Sequence, residues 1–322
     1  MQFLTHKDIG AAAKLPIGPE TPALTYNPVI LASPGRAVDI QVKVGAPAAG
    51  SDLPIVLLAH GQGRSNWLNS RHGYAPVFDF LTGHGFVVMQ PTQLSAVSLG
   101  VEHGEGDELS WSDQPRTLRR ILDELDAIEE EVPFLKGRMD KSNIAVVGHS
   151  FGGWAASQLL GASNTDKRTG ATVCNFDERV KAGVILGGLG GAEGLQDGAQ
   201  AILPFFGPDF STMTAPALVV CGEDDFNPHF CRTDAGWHAE PYRLAPGPKE
   251  LVWVKGGKHG FGGISGWDTN EVDDEGPERL FFVLRMVWAY LRSALVRGDG
   301  AWGEAVKMLG GAKELGTVES KE

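Results

Sequence analysis

Short, unbroken apolar runs recur along the chain, with longer segments of helical periodicity between them. Pro54 to His60, Phe86 to Gln90, Ile144 to Val147, Ala182 to Leu186, Ala217 to Cys221 and Glu250 to Val254 are nearly continuous in apolar residues. Runs of this kind predict parallel strands covered on both faces. Val29 to Leu31 and Val38 to Val44 read as an antiparallel edge hairpin, because the second alternates apolar and polar residues. Ala75 to Thr82 reads as a helix stopped by Gly83 and Gly85. Between Pro115 and Val132 the apolar positions Leu118, Ile121, Leu122, Leu125, Ile128 and Val132 keep a helical spacing. Gly276 to Val296 repeats that pattern and closes the series. Strands alternating with helices predict an α/β fold: a mostly parallel central sheet with helices on both faces. One domain over residues 1–322 accommodates the series. Residues 1–28 read as an irregular segment, 92–114 and 161–181 as loop insertions, 192–214 as loop, and 297–322 as an exposed tail.

Composition narrows the class. Of 322 residues 42% are hydrophobic, enough for a large core. The formal charge is −12, and no Lys/Arg cluster is dense enough for a nucleic-acid footprint. No stretch approaches the roughly 18 apolar residues of a membrane span. The start has no basic region followed by a long apolar run, so no secretory signal is read there. Three cysteines, Cys174, Cys221 and Cys231, suit a reduced, cytoplasmic protein, although a Cys174–Cys231 bridge stays open.

The run Ile144 to Val147 leads into Gly148-His149-Ser150-Phe151-Gly152-Gly153 and then a helix-compatible segment. A buried strand thus delivers a serine to a sharp turn from which a helix leaves. This is the Gly-x-Ser-x-Gly nucleophile elbow, with Ser150 as candidate nucleophile. The plain alternative is a glycine-rich turn with a structural serine. Sheets of this kind bind ligands at the carboxyl ends of their strands. Other strand ends here carry His60-Gly61-Gln62-Gly63, Gly222-Glu-Asp-Asp225 and Gly256-Gly-Lys-His259. A serine needs a base, and the base needs an orienting acid. The order Ser150, Asp225, His259 is that of α/β-hydrolases. Asp224 competes for the acid, and Asp225 is favoured by the Gly-x-x-Asp spacing. His149 is expected to point into the elbow packing and His60 to hydrogen-bond within the loop after its strand. His229 is a pocket or surface residue. The backbone N–H groups of Phe151 and Gln62 are the candidate oxyanion donors.

From about residue 35 to 296 the chain resembles a serine α/β-hydrolase. Within that superfamily it is similar to the group of predicted dienelactone hydrolases, platelet-activating-factor acetylhydrolases and chlorophyllases. The resemblance rests on LLAHGQG (57–63), HGFVVMQPT (84–92), RTLRRILDEL (116–125) and DKSNIAVVGHSFGGWAA (140–156). It implies ester hydrolysis without a metal or organic cofactor. Two departures stand out. Dienelactone hydrolases use a cysteine nucleophile. The other two groups usually take their acid from the strand just after the nucleophile helix, which here ends in Gly187-Gly-Leu-Gly-Gly191. The substrates of those groups therefore do not carry over.

Trp67, Trp111, Phe151, Trp154, Phe226 and Phe261 fall near the expected rim and suit an apolar or aromatic ester. No Arg or Lys beside the motifs would clamp an anion, so a neutral small-molecule ester is expected. The acidic run GWDTNEVDD, 266–274, reads as a solvated loop beside the site. Carbon–carbon hydrolysis, lyase chemistry, perhydrolysis and a non-catalytic binding role are the other readings, since fold alone does not determine reaction.

Overall fold

The computed structural model describes residues 8–63, 65–104, 106–266, 274 and 276–322. Residues 1–7 of the N-terminal segment and 267–273 of the acidic run lie outside the described residues.

The chain opens with the strands β1 (Ala23–Leu31) and β2 (Ile40–Pro47), which pair antiparallel. Strand β1 therefore starts inside the segment read as irregular. Its outer face is largely exposed, and such an edge strand lacks the apolar run that marks a central one. Next come β3 (Leu53–Ala59), α1 (Ala75–Gly83) and β4 (Val87–Pro91). The helix expected over 115–132 is broken in two, α2 (Asp113–Asp123) and α3 (Leu125–Glu131). Glu124 between them leaves helical geometry at φ −107°, ψ 16°. Both pieces keep their apolar stripe inward, so the periodicity survives the break.

Strand β5 (Met139–His149) runs into α4 (Phe151–Leu159). The insertion read as loop over 161–181 instead forms β6 (Ser163–Thr165) and β7 (Thr172–Cys174). After β8 (Val180–Leu186), the stretch 192–214 holds the short α5 (Asp197–Ile202) and β9 (Pro208–Asp209). β9 joins β6 and β7 in a small sheet of order β7-β6-β9. Strand β10 (Ala217–Gly222), α6 (Glu240–Leu244), β11 (Lys249–Val254) and α7 (Pro277–Leu295) complete the alternation.

The tail is not free. It folds as α8 (Ala301–Leu309) and β12 (Gly316–Lys321), and β12 pairs antiparallel with β11. Lys321 Nζ donates to the Tyr242, Arg243 and Ala245 carbonyls at the end of α6. Polar residues dominate β12, as expected of an edge, and that hid it in the sequence.

Among the described residues the central sheet has nine strands in the order β1-β2-β4-β3-β5-β8-β10-β11-β12. Its interior from β4 to β11 is parallel, and its antiparallel strands lie at the edges. One apolar core packs α2, α3 and α4 on one face of the sheet. A second packs α1, α7 and α8 on the other. Among the described residues no helix is long and apolar enough to cross a membrane. The three cysteine thiols are all free, with Cys174 exposed and Cys231 buried, so no Cys174–Cys231 bridge is present.

Candidate active site

At the end of β5, Ser150 adopts φ 55°, ψ −120°, a region that side chains rarely occupy. Its surroundings enforce this. The Ser150 N–H donates to Leu186 O at the end of β8 (2.9 Å), and the Gly153 N–H donates to Ser150 O (2.9 Å). A Cβ at Gly148 would run into the Gly152 carbonyl, and one at Gly152 into Ala59 of β3. Strand and helix approach so closely that only glycines fit on either side of the serine. Ser150 itself is half-exposed at the rim.

The loop after β11 brings His259 to the same rim. Its Nδ1 lies 3.0 Å from Asp225 Oδ2 and 3.2 Å from Oδ1. The acid follows β10, where the Asp225 N–H closes a turn onto Gly222 O (3.2 Å). Asp225 is buried, whereas its neighbour Asp224 is exposed and makes no contact with His259 among the described interactions. The geometry thus separates the two competing carboxylates. The Ser150 hydroxyl makes no hydrogen bond among the described residues. Such contacts are commonly long before substrate arrives.

Three groups that sequence reading passed over hold this pair. Gly187, at φ 49°, lies directly beneath it: a Cβ there would sit 3.2 Å from Asp225 Oδ2 and 3.3 Å from His259 Nδ1. His238 is buried with Nε2 3.5 Å from Asp225 Oδ1, while its Nδ1–H donates to Gly188 O (2.7 Å). Asp274, inside the stretch read as solvated loop, is buried. Its Oδ2 accepts from the Lys258 N–H (2.8 Å) and the Gly262 N–H (3.3 Å), and its other oxygen pairs with Arg279 of α7. This carboxylate staples the loop that carries His259. No local motif announces these residues. Each acts across a long sequence separation.

Asp225, His238 and His259 are the one group of three potentially metal-ligating side chains among the described residues whose ligand atoms lie within 4.8 Å of one another. Asp225 and His259 are spent on each other.

The electrostatics follow from the same contacts. Burial pushes Asp225 toward its neutral form, but the charge and hydrogen bond of His259, with His238 and His149 behind it, outweigh this and hold its carboxyl below the ordinary value. Around His259 desolvation lowers the pKa, and the Asp225 charge and hydrogen bond overcome it, so the ring titrates above its ordinary 6.5. Burial lowers His238, takes His149 to about 3 and takes His60 to about 4. His259 is therefore the one ring of these four that is held above its ordinary value.

His60 orients the loop after β3. The Gln93 N–H donates to its Nε2 (3.0 Å), which leaves the ring proton on Nδ1 to donate to Gly61 O (2.9 Å). That carbonyl belongs to the peptide whose N–H is Gln62's. In a trans peptide the two point oppositely, so His60 aims the Gln62 N–H away from itself. Neither this N–H nor that of Phe151, the first residue of α4, has a partner among the described residues. Phe151 directly follows Ser150 in the chain, and Gln62 follows Gly61, on which a Cβ would lie 3.1 Å from Ser150 Cβ.

The aromatic candidates divide. Trp111 and Trp154 are buried, together with Phe205: Trp111 stacks on Phe205 at 5.0 Å, and Trp154 on Phe151 at 4.9 Å. Phe261 is also buried, against His149 and beneath the Asp225–His259 pair. Trp154 and Phe261 are thus interior packing and not open walls. Both α4 and the histidine loop turn these residues inward, a choice that helix spacing over so short a segment does not reveal. Trp67 and Phe226 are exposed, with Trp67 stacked on His72 at 5.3 Å. His229 is exposed and is a surface residue.

Residues 56–265, about two thirds of the chain, match the sequence model of a family described as "Alpha/beta hydrolase family". No curated protein matches the chain.

Proposed function

The chain belongs to the alpha/beta hydrolase family, and we propose that it hydrolyses a neutral carboxylic ester through an acyl-enzyme on Ser150. The observation that carries this reading is the Asp225–His259 hydrogen bond at the rim where Ser150 is held at a strained, positive φ. Asp225 keeps the ring proton of His259 on Nδ1, so Nε2 presents a lone pair. That nitrogen takes the Ser150 hydroxyl proton as Oγ bonds to the ester carbonyl carbon. The oxyanion that forms is received by the Phe151 and Gln62 N–H groups, which are already free and oriented. The C–O bond to the alcohol then breaks, and the alcohol leaves with the proton from His259. Water repeats the sequence on the acyl-enzyme, releases the carboxylic acid and restores Ser150.

An apolar or aromatic substrate moiety is supported by the exposed aromatics Trp67 and Phe226, which follow the strand ends that carry Gln62 and Asp225. A neutral ester over an anionic one is supported by the sequence around Ser150 and Asp225, where no Arg or Lys stands beside either residue. The roles assigned to residues 57–63 and 140–156 extend the likeness to the dienelactone hydrolase, acetylhydrolase and chlorophyllase-like group. Free thiols support a reducing, cytoplasmic setting.

Ser150→Ala tests the reading. Turnover of p-nitrophenyl acetate is expected to fall to background with the melting temperature preserved, and a fluorophosphonate is expected to label the wild type at Ser150 alone. Undiminished turnover in the folded variant would refute it.

A further inference from the structure

The residue before the nucleophile does more than pack. His149 Nε2 lies 2.9 Å from the backbone carbonyl of His259, and its Nδ1 lies 2.7 Å from the Tyr74 hydroxyl. The same hydroxyl accepts the Gly61 N–H at 3.0 Å. Tyr74 and His149 are both buried.

The polarity of every bond in this chain is determined. A carbonyl only accepts, so His149 carries its proton on Nε2. Its Nδ1 is then a lone pair, which the Tyr74 O–H must fill. Tyr74 has its remaining lone pairs for the Gly61 N–H. An imidazolium at His149 would place a second donor against the hydroxyl and break the sequence. Burial first, and then the neighbouring His259, keep His149 neutral. The charged and titratable groups that face it are Tyr74, His259, Asp225 and His238.

This chain joins three separate segments: the loop after β3, the elbow, and the loop after β11. Gly61 is pinned from both sides, its N–H by Tyr74 and its C=O by His60. The packing is tight enough that a Cβ on Gly61 would lie 2.9 Å from the Tyr74 hydroxyl, 3.1 Å from Ser150 Cβ and 3.2 Å from His149 Nδ1.

We propose that Tyr74 and His149 are positioning residues whose hydrogen bonds hold the Gln62 N–H and the His259 ring in register with Ser150. The proposal rests on the reading of Ser150 as nucleophile. It predicts two separable losses. Tyr74→Phe removes the anchor of the Gly61 N–H and keeps the ring. His149→Asn keeps an acceptor for Tyr74 but cannot reach the His259 carbonyl.

The test is the pH dependence of Ser150 labelling by a fluorophosphonate in the wild type and both variants, with kcat and KM on p-nitrophenyl acetate. Tyr74→Phe is expected to slow labelling about tenfold, with its pH midpoint unmoved, as for the loss of one or two buried hydrogen bonds. His149→Asn is expected to slow it comparably and to move the midpoint to lower pH, because a loosened His259 loses part of its Asp225 contact. KM should stay within about twofold in both, the mark of interactions made in the transition state. A merely structural role would lower the melting temperature without that split. Wild-type labelling rates in folded variants would overturn the proposal alone. Absence of labelling in the wild type would strike the hydrolase reading, and the proposal with it. Should a variant fail to fold, the nitrogen-15 histidine spectrum of the wild type still decides: an Nδ1–H tautomer at His149 overturns the chain.

Discussion

Replacing Asp225 by Asn keeps side-chain volume and removes one charge at a site where the carboxylate is only 4% exposed. In the wild type that charge stands 3.0 Å from His259 Nδ1. At that separation and an effective dielectric of ~20, Coulomb's law gives about 5 kcal/mol between carboxylate and imidazolium. The His259 side chain is 44% exposed, so solvent screening reduces this. A stabilisation of about 3–4 kcal/mol of the protonated ring is what the transition state would lose, which corresponds to a fall of roughly 10²–10³-fold in kcat. The amide can also present its NH₂ to Nδ1 and force the proton onto Nε2, which removes the base altogether. The assay is the initial rate on p-nitrophenyl acetate at pH 8, with circular dichroism to confirm the fold and Asp224→Asn as the control. Asp224 is exposed and has no described interaction with the histidine, so its variant should stay within about twofold of wild type. Retention of more than a tenth of the activity in Asp225→Asn, or an equal loss in Asp224→Asn, would refute the assignment of the acid.

Other expectations follow from the same geometry. The base must be neutral and His259 titrates above 6.5, so kcat/KM should rise with pH through a single limb centred above that value; a limb below pH 6 would contradict the Asp225 contact. The ion pair's stabilisation runs the other way: it is fully present below the unfolded pKa of the ring and is lost as pH rises through the folded one. Gly187→Ala, at φ 49°, should cost about 1–2 kcal/mol, seen as a melting temperature lower by roughly 2–4 °C. It should also cost about tenfold in kcat, because its methyl displaces the Asp225–His259 pair by a few tenths of an ångström. An unchanged rate would show that the pair yields freely. Deleting residues 311–322 removes β12 and the buried Leu315, uncovering the edge of β11 that leads to His259. Loss of the Leu315 contact alone amounts to about 1.5–3 kcal/mol, measurable by urea unfolding, and no change in midpoint would contradict the role given to this strand.

The parts legible in the sequence are those whose cause is local. Continuous apolar runs mark the central strands because both faces are covered, and the glycines around Ser150 mark the elbow because strand and helix nearly touch there. Strand order then brings Asp225 and His259 to one rim. Residues whose cause is remote left no trace. Tyr74 lies 75 positions from the histidine it serves. His238 comes from the segment before α6, and Asp274 sits at the end of an acidic run whose composition suggested solvent. The first part of β1, before Val29, and the whole of β12 escape for the opposite reason: their polar outer faces are what an edge requires, and they resemble loop. The inward turn of Trp154 and Phe261 is set by packing partners on other segments.

Gly187 has a consequence beyond its own conformation. The ends of β8 and β10, neighbours in the sheet, converge on one ring nitrogen. A side chain grown at 187 would project toward the nitrogen that Asp225 already serves. Two carboxylates there would repel and share a proton, so the histidine can be oriented from one strand end or from the other but not well from both. In this chain the residue at 187 therefore reports which strand end serves the histidine: a glycine after β8 leaves room for the carboxylate that follows β10.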